Sequence, residues 1–210
     1  MIFSKDHNFL FIKNMKVGST SMEVELSKIL PASAIVTFIN PPNKEHRPRN
    51  WGKFVNHTTF LEASLELDLK DVKSYTIVRH PYEVVLSDFF FRKEILSINW
   101  ATLSQNEKDM LVEKYFNNEF SNGPWIKSTK NIYTVNNKIA VTDILRHELG
   151  LENEINRILP IHNLPKITMK TFEKAYRPEG TKYLDVFSKK HLGMIAGEWS
   201  WEFETLGYND

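Results

Sequence analysis

The 210-residue chain contains no cysteine, which excludes disulfide bonds, thiolate catalysis and zinc sites built on thiolates. It has no run of about 18 apolar residues, the length that a membrane-spanning helix needs. Neither sign of charge dominates, because 27 basic side chains against 26 acidic ones leave a net charge of +1. That balance argues against a general binder of nucleic acid or membrane. The N-terminal residues lack the apolar region of a signal peptide, so a cytoplasmic protein is expected.

The pattern of apolar residues points to the α/β class. The composition, 41% hydrophobic and 25% charged, is ordinary for a globular protein. The length favours a single domain over residues 1–210. Candidate strands at 8–14, 34–39 and 74–78 alternate with candidate helices that begin near residues 19, 59 and 81. This alternation predicts a three-layer αβα sandwich with a central parallel sheet.

Local signals place further elements along the chain. Thr59 with Glu62 and Ser104 with Glu107 have the spacing of capping boxes, so each pair predicts a helix start. The remaining predictions are a strand pair joined across Asn136-Asn137, a helix over 142–149 that ends at Gly150, and helices over 168–176 and 183–197. The proline-rich segment 40–53 is predicted to be a loop.

The segment after the first strand has the features of an anion-binding turn. Gly18 allows the backbone to approach a ligand, and the amides that follow lie where a helix presents unpaired N–H groups. Lys16 adds a positive charge that can reach a terminal oxygen. The Walker pattern is absent because the lysine precedes the glycine, which disfavours a magnesium-dependent NTPase. A plain strand–turn–helix junction capped by serine or threonine is the alternative interpretation.

A second segment, Val78-Arg79-His80-Pro81-Tyr82, follows another buried strand. Arg79 is predicted at the carboxyl end of this strand, the edge at which open α/β sheets bind ligands. Its planar guanidinium suits a phosphate in bidentate geometry. Ser87 follows about two turns into the next helix and is positioned to add a hydroxyl. The alternative is an arginine paired with a core carboxylate and a serine that faces solvent.

Together the two segments resemble the sulfotransferase superfamily, and its carbohydrate-type branch more than its cytosolic phenol and steroid type. The first matches the loop that holds the 5′-phosphosulfate of 3′-phosphoadenosine 5′-phosphosulfate (PAPS), although Met15 stands where the family often has proline. The second matches the family's 3′-phosphate motif. The similarity covers the donor half, residues 8–95, firmly and the acceptor part, residues 96–210, loosely. Segments 141–151 and 199–208 look like the family's later helix and its C-terminal ending.

The resemblance implies a P-loop-like fold, PAPS as donor, the bisphosphate PAP as product, and no metal. It implies a 3′-phosphate site at Arg79 and Ser87, with a C-terminal loop contributing Arg177 and Lys182. The phosphosulfate site would consist of the first loop and the start of its helix, namely Lys16, Val17, Gly18, Ser19, Thr20 and Ser21.

The resemblance also suggests the catalytic groups. Lys16 would stabilise the charge that develops on the leaving phosphate. His57, between the two donor motifs, is the first candidate for the base, because histidine ordinarily titrates in the range that the task needs. A neighbour of a helix N-terminus is its alternative interpretation. His46 is the second candidate, and Glu23 or Glu62 the third, although both glutamates also fit solvated helix faces.

The acceptor is expected to be a carbohydrate or a glycosylated small molecule, with neither nucleic acid nor membrane as a partner. The basic side chains of loop 43–53 have two interpretations, a solvated surface or a flap that faces an anionic or sugar acceptor. Two other functions stay open. One is a nucleotide or small-molecule kinase of P-loop type, and the other is a non-catalytic nucleotide-binding module.

Overall fold

The computed structural model describes residues 1–123, 127–170 and 176–209, and it contains a five-stranded mixed sheet and a two-stranded one. The strands in chain order are β1 (Ile2–Ser4), β2 (Phe9–Ile12), β3 (Ile35–Val36), β4 (Lys73–Val78), β5 (Thr134–Val135), β6 (Lys138–Ile139) and β7 (Asp143–Arg146). The larger sheet has the order β3-β1-β2-β4-β7. The predicted α/β class is confirmed.

The sheet is parallel only in part, which corrects the expectation of a central parallel sheet. Strands β2, β4 and β7 are parallel neighbours, whereas β1 is antiparallel to both β2 and β3. The reason lies in residues 5–8, a turn closed by a 3.1 Å bond from the Asn8 amide to the Lys5 carbonyl. A connection this short joins only antiparallel strands, because a parallel pair needs a crossover of a dozen residues or more.

The chain divides into two compact units, Met1–Arg79 with Thr129–Glu173 and His80–Ser128 with Lys174–Asp210. The single domain expected over residues 1–210 stays a prediction. The first unit contains the sheets and helices α1 (Ser19–Ile29), α2 (Phe60–Glu66) and α6 (Leu151–Ile158); the second contains α3 (Pro81–Phe91), α4 (Lys93–Leu96), α5 (Gln105–Tyr115), α7 (Lys189–Glu198) and α8 (Ser200–Leu206).

The core of the first unit lies along β2 and β4. All four residues of β2 are fully buried, and so are the last five of the six residues of β4. Strands covered on both faces carry continuous apolar runs rather than alternating ones. This explains why Phe9–Ile12 forms an uninterrupted apolar segment in the middle of the sheet.

The predicted helix starts are confirmed. Thr59 accepts a bond from the Glu62 amide while the Glu62 carboxylate binds the Thr59 amide, and Ser104 and Glu107 repeat the arrangement. Pro81 occupies the first turn of α3, where its missing N–H leaves no bond unmade. The hairpin across Asn136-Asn137 is also confirmed as the β5–β6 pair, with both asparagines at positive φ.

The predicted helix over 142–149 is wrong. Residues Asp143–Arg146 form strand β7, and Gly150 precedes α6 rather than ending a helix. The Thr142 amide donates to the Ser74 carbonyl at 2.8 Å, and the Ser74 amide donates to the Thr142 hydroxyl at 3.0 Å. This pairing with β4 supplies backbone partners that a lone helix would have made internally, so tertiary contact overrides local propensity.

The last two helix predictions have different outcomes. In the helix predicted over 183–197, only Lys189–Glu198 is an α-helix, and Tyr183–Asp185 forms a single 3₁₀ turn. The helix predicted over 168–176 falls largely on residues 171–175, outside the described residues, and residues 168–170 are irregular.

Candidate functional site

The site in the first unit lies at the carboxyl edge of β2 and β4. Ile12 is in register with Thr76, and the Asn14 side-chain amide donates to the Ile77 carbonyl at 3.1 Å. Parallel neighbours are about 4.8 Å apart, so the turns that follow them leave the sheet side by side. Lys16 lies on the turn after β2, and Arg79 directly follows β4. Lys16 and Arg79 therefore lie at the same edge of the sheet.

The turn between β2 and α1 is held by its own polar groups. The Ser19 hydroxyl donates to the Asn14 carbonyl at 2.5 Å, and the Met15 amide donates to the Asn14 side-chain oxygen at 2.7 Å. Lys16 and Gly18 both have positive φ, 58° and 78°. These bonds and dihedrals give the turn a defined shape, and they commit the Ser19 hydroxyl to the protein rather than to a ligand.

The start of α1 has the electrostatics of an anion site. Gly18 occupies the cap position without any side-chain cap, and the first turn contains no acidic residue. The amides of this first turn and the helix dipole therefore favour an anion, and the turn itself contributes no carboxylate. Lys16 and Thr20 are partly exposed, whereas Val17 and Ser21 are buried. The partly exposed side chains of this turn are therefore those of Lys16 and Thr20, and the side chains of Val17 and Ser21 lie in the core.

The segment after β7 also reaches this turn. The sequence did not predict this contact, because residues 142–149 were predicted to form a helix. Val78 is in register with Arg146, so His147 follows β7 at the same edge. A Cβ atom on Gly18 would lie 2.5 Å from Leu151 Cδ1 and 3.5 Å from His147 Cδ2. The β-branched residues Val141, Thr142 and Ile144 are the signal that favours a strand here. The glycine is thus required both by its dihedral and by this close approach.

A buried ion pair supports the turn from beneath. Lys13 Nζ lies 2.7 Å from Glu23 Oε2, and the amino group of Met1 lies 2.8 Å from Glu23 Oε1, with all three groups almost fully buried. Burial opposes ionisation of Glu23, yet the two ammonium groups hold the pKa of this carboxyl below its usual value. Glu23 is therefore a core ion-pair partner, not the solvated helix-face charge expected. Glu62 belongs to the capping box of α2.

His57 is bound to the same strand end. Its Nδ1 lies 3.1 Å from the Lys13 carbonyl, which can only accept, so Nδ1 carries the hydrogen and Nε2 the lone pair. Burial, and after it the Lys13 ammonium, lowers the pKa of His57 to about 4. The expected ordinary histidine pKa is therefore wrong. The imidazole is neutral at pH 7, and Nε2 is its proton-accepting atom.

His46, the second candidate base, is a core residue. It is 7% exposed, and burial lowers its pKa. Within the described residues its Nε2 has no hydrogen-bond partner and no contact with solvent. A group enclosed in this way is poorly placed to take a proton from an incoming substrate.

The other predicted donor-site residues lie in the second unit, around the start of α3. Arg177 Nη1 is bound to Glu83 Oε2 at 2.5 Å, one helical turn before the half-buried Ser87. Exposed Lys182 precedes Tyr183, whose ring is 5.0 Å from that of Tyr82 on α3. The structure therefore gathers Ser87, Arg177 and Lys182 near one helix, with Arg177 held by a carboxylate.

His80, the turn residue of the second motif, is enclosed by aromatic rings. Its Nε2 donates to the Asn209 carbonyl at 3.1 Å. The ring stacks on Tyr183 and meets Phe203 and Tyr208 edge-on, with centroids 5.1–5.9 Å apart. These contacts give His80 a packing role and tie the C-terminal ending to the start of α3.

No group of three or more His, Asp and Glu side chains in the described part of the chain is arranged to hold a metal ion. Among the same residues, none of the helices has the length and apolarity that crossing a bilayer requires. Comparisons with protein-family models, with curated proteins and with solved structures found no match.

Proposed function

We propose that the protein is a sulfotransferase that moves the sulfuryl group of PAPS to an acceptor hydroxyl, with a carbohydrate or a glycosylated small molecule as the favoured acceptor. The observation that carries the proposal is the parallel β2–β4 pair, whose register and Asn14–Ile77 bond bring the turns of Lys16 and Arg79 to one edge. A donor with phosphate groups at both ends requires two neighbouring anion sites. The P-loop-like αβα fold of sulfotransferases is part of the same proposal.

The residues at the edge fit such a donor. The start of α1 has no side-chain cap, no acidic residue in its first turn and the partly exposed Lys16 beside it. Arg79 provides a planar fork for the second phosphate. A role of Ser87, Arg177 and Lys182 at the 3′-phosphate stays a prediction that the family resemblance alone implies. The bound donor supplies an activated sulfuryl group on a phosphate leaving group.

Two side chains carry the chemistry in this proposal. Lys16 stabilises the negative charge that develops on the departing phosphate oxygen. His57 Nε2 takes the proton of the acceptor hydroxyl while its Nδ1–H stays bound to the Lys13 carbonyl. The low pKa keeps Nε2 unprotonated at neutral pH, and it also makes the imidazole a weaker base than a typical catalytic histidine.

The binding step is tested by calorimetry with PAP. Wild-type protein is expected to bind, and Arg79→Ala is expected to bind about 10- to 100-fold more weakly because charged hydrogen bonds are lost. Arg157→Ala is the matched control, since Arg157 pairs with Asp143 at the opposite end of β7. Absence of PAP binding by the wild-type protein, or equal binding by Arg79→Ala, would contradict the proposal.

The chemical step is tested with radiolabelled donor and a panel of sugars, phenols, steroids and peptides. Lys16→Ala is expected to lower the rate by about 10² to 10³. Exposed Lys70, in the turn before β4, provides the control variant Lys70→Ala. Unchanged product formation by Lys16→Ala would remove this lysine from catalysis.

A further inference from the structure

The first unit contains a small polar cavity at the edge of the sheet opposite the anion-binding turns. Its volume is about 180 Å³. Asn8 directly precedes β2 and Lys73 begins β4, and both residues line the cavity. Strand β2 has four residues and therefore spans about 13 Å. A ligand small enough for this cavity does not reach the turn that follows β2, so the cavity is a separate site.

Three turns contribute to the wall of the cavity. Asn8, Asp71 and Asn163 line it, and they have positive φ values of 50°, 62° and 55°. Asparagine and aspartate adopt this left-handed conformation more readily than other residues with a side chain, which explains their presence in the turns. Asparagine would serve equally well at position 71 and would bring no charge. The backbone therefore does not explain the carboxylate of Asp71.

Two histidines that line the cavity are bound to each other. His7 Nδ1 donates to the His162 carbonyl at 2.8 Å, and His162 Nδ1 donates to the His7 carbonyl at 2.8 Å. His162 is 4% exposed, and its Nε2 accepts from the Tyr75 hydroxyl at 2.8 Å. Since Nδ1 of His7 carries the hydrogen, Nε2 of its neutral ring is an acceptor. These bonds between distant segments set the shape of the cavity before a ligand arrives, which lowers the entropy lost on binding.

The charged side chains of the cavity have both signs. Within the described residues, Asp71 and Lys73 form neither an ion pair nor a side-chain hydrogen bond. Asp6 accepts one bond, from the Ser33 hydroxyl at 2.5 Å, which occupies one of its two oxygens. Two carboxylates and one ammonium group give the lining a net charge of −1. A ligand that neutralises all three groups has one negative and two positive charges.

A single metal ion does not match this lining. In the part of the chain that the structure describes, no three His, Asp or Glu side chains converge closely enough to hold one. The charges are dispersed around the cavity instead, which suits a ligand whose own charges are separated. The volume is also below the range of about 300–1,000 Å³ that drug-sized ligands occupy, so the ligand is about as large as one amino acid.

We propose that this cavity binds a small molecule with one carboxylate and two cationic groups, the chemistry of a free basic amino acid. Lys73 binds the carboxylate, Asp6 and Asp71 bind the two cationic groups, and His7 Nε2 accepts a further N–H bond. The net charge of +1 on such a ligand balances the charge of the lining. The proposal does not depend on the sulfotransferase activity, because the cavity lies at the other edge of the sheet.

The test compares four probes by NMR titration of the His7 ring protons and by calorimetry. L-Lysine has the full charge pattern, L-norleucine lacks the second cationic group, cadaverine lacks the carboxylate, and L-glutamate has the opposite net charge. L-Lysine is expected to bind most tightly, with a dissociation constant of about 0.1–1 mM because ion pairs of exposed groups are weak. L-Norleucine and cadaverine are expected to bind about 3- to 10-fold more weakly, and L-glutamate not to bind.

Two variants assign the charges to the ends of the ligand. Lys73→Met is expected to weaken L-lysine about 3- to 10-fold and to leave cadaverine unchanged or tighter, because the removed charge attracts only a carboxylate. Asp71→Asn keeps a residue that tolerates positive φ, and it is expected to weaken both probes. Lys70→Met and Asp109→Asn are matched controls, since both side chains are exposed and neither lines the cavity. Neither control is expected to change the binding of any probe.

Three results would overturn the inference. These are L-lysine binding no tighter than L-glutamate, cadaverine binding more tightly than L-lysine, and L-lysine binding that leaves the His7 ring signals unchanged. Equal effects of Lys73→Met and Lys70→Met on L-lysine would exclude Lys73 as the carboxylate partner. The ranking of the four probes on the wild-type protein tests the charge pattern even where a variant does not fold. PAP calorimetry on Lys73→Met is expected to give the wild-type result, which keeps this test separate from that of the donor site.

Discussion

At the scale of the residue, Lys13 links the ion pair in the core to the candidate base. Its ammonium group is bound to Glu23, and its carbonyl accepts the Nδ1–H of His57. The side chain lies in the core and is 1% exposed. One residue thus sets both the tautomer of His57, through its carbonyl, and part of the low pKa, through its charge.

Lys13→Met is expected to raise the pKa of His57 from about 4 toward its usual value, because a nearby positive charge disfavouring the imidazolium is removed. Titration of the His57 ring protons by NMR measures the change. Lys13→Arg keeps the charge and is expected to leave the pKa low. Since Lys13→Met also leaves Glu23 with one partner fewer, circular dichroism must first establish that the variant is folded. An unchanged His57 pKa in the folded Lys13→Met protein would show that burial alone causes the shift.

At the scale of the element, helix starts depend on a few side chains close in sequence. Helix α2 has only seven residues, and Ala63 is its one buried residue, so tertiary packing contributes little to it. The capping box of Thr59 and Glu62 therefore has a large share in holding the helix in place.

Thr59→Ala is expected to lower the free energy of unfolding by about 1 kcal/mol, because the Glu62 amide loses its acceptor. Urea denaturation measures the loss. Thr59→Ser keeps the hydroxyl and is expected to retain most of the stability. A Thr59→Ala protein as stable as the wild type would show that α2 frays independently of the global transition.

At the scale of the whole molecule, several histidines are held neutral by burial. Burial is the largest cause that lowers the pKa of His46, His57, His162 and His191. In His162 both ring nitrogens are also engaged, with the His7 carbonyl and the Tyr75 hydroxyl at 2.8 Å each. Protonating any of these rings would either place a positive charge in a poorly solvated environment or break a hydrogen bond.

The protein is therefore expected to lose stability on acidification. The unfolded chain takes up protons on its histidines below about pH 6.5, whereas the folded protein resists them. Stability is thus fully present above that pH and falls as the pH drops toward the folded values. For His57, with a folded pKa of about 4, the loss approaches about 3 kcal/mol. The lowered pKa of Glu23 adds a further loss below pH 4.5.

Urea denaturation at pH 7, 5.5 and 4 measures this dependence. His57→Gln removes one titrating group and keeps a donor for the Lys13 carbonyl, so its stability is expected to change less with pH. An equal pH dependence in His57→Gln and wild type would contradict the low pKa of His57.

Much of the fold was predictable because its signals act over four residues or fewer. The capping serine and threonine, Pro81 at the start of α3 and the Asn136-Asn137 turn each form bonds with near neighbours in the chain. The apolar run of β2 predicts a buried strand for the same reason. The helix predicted over 142–149 was wrong because the strand that forms there depends on pairing with Ser74, which is 68 residues away.

The candidate site was predictable in part. That Lys16 and Arg79 follow two buried strands could be inferred from the apolar runs before them, and adjacency of parallel strands then places them at one edge. No local sequence signal indicated three features of the site. These are the low pKa of His57, the bond from the Ser19 hydroxyl to the Asn14 carbonyl, and the approach of Leu151 to Gly18. Each depends on the distance between groups far apart in the chain or on the water excluded around them.

The order of amino acids by itself determined where helices begin, where the chain turns and which segments are apolar enough to enter a core, because neighbouring groups form those bonds. Only the tertiary structure decided that β7 is a strand, that Lys13 and Glu23 are buried as a pair, and that His57 is neutral. Electrostatic and solvation free energies depend on what surrounds a charge in space, and that environment exists only once distant segments have packed together.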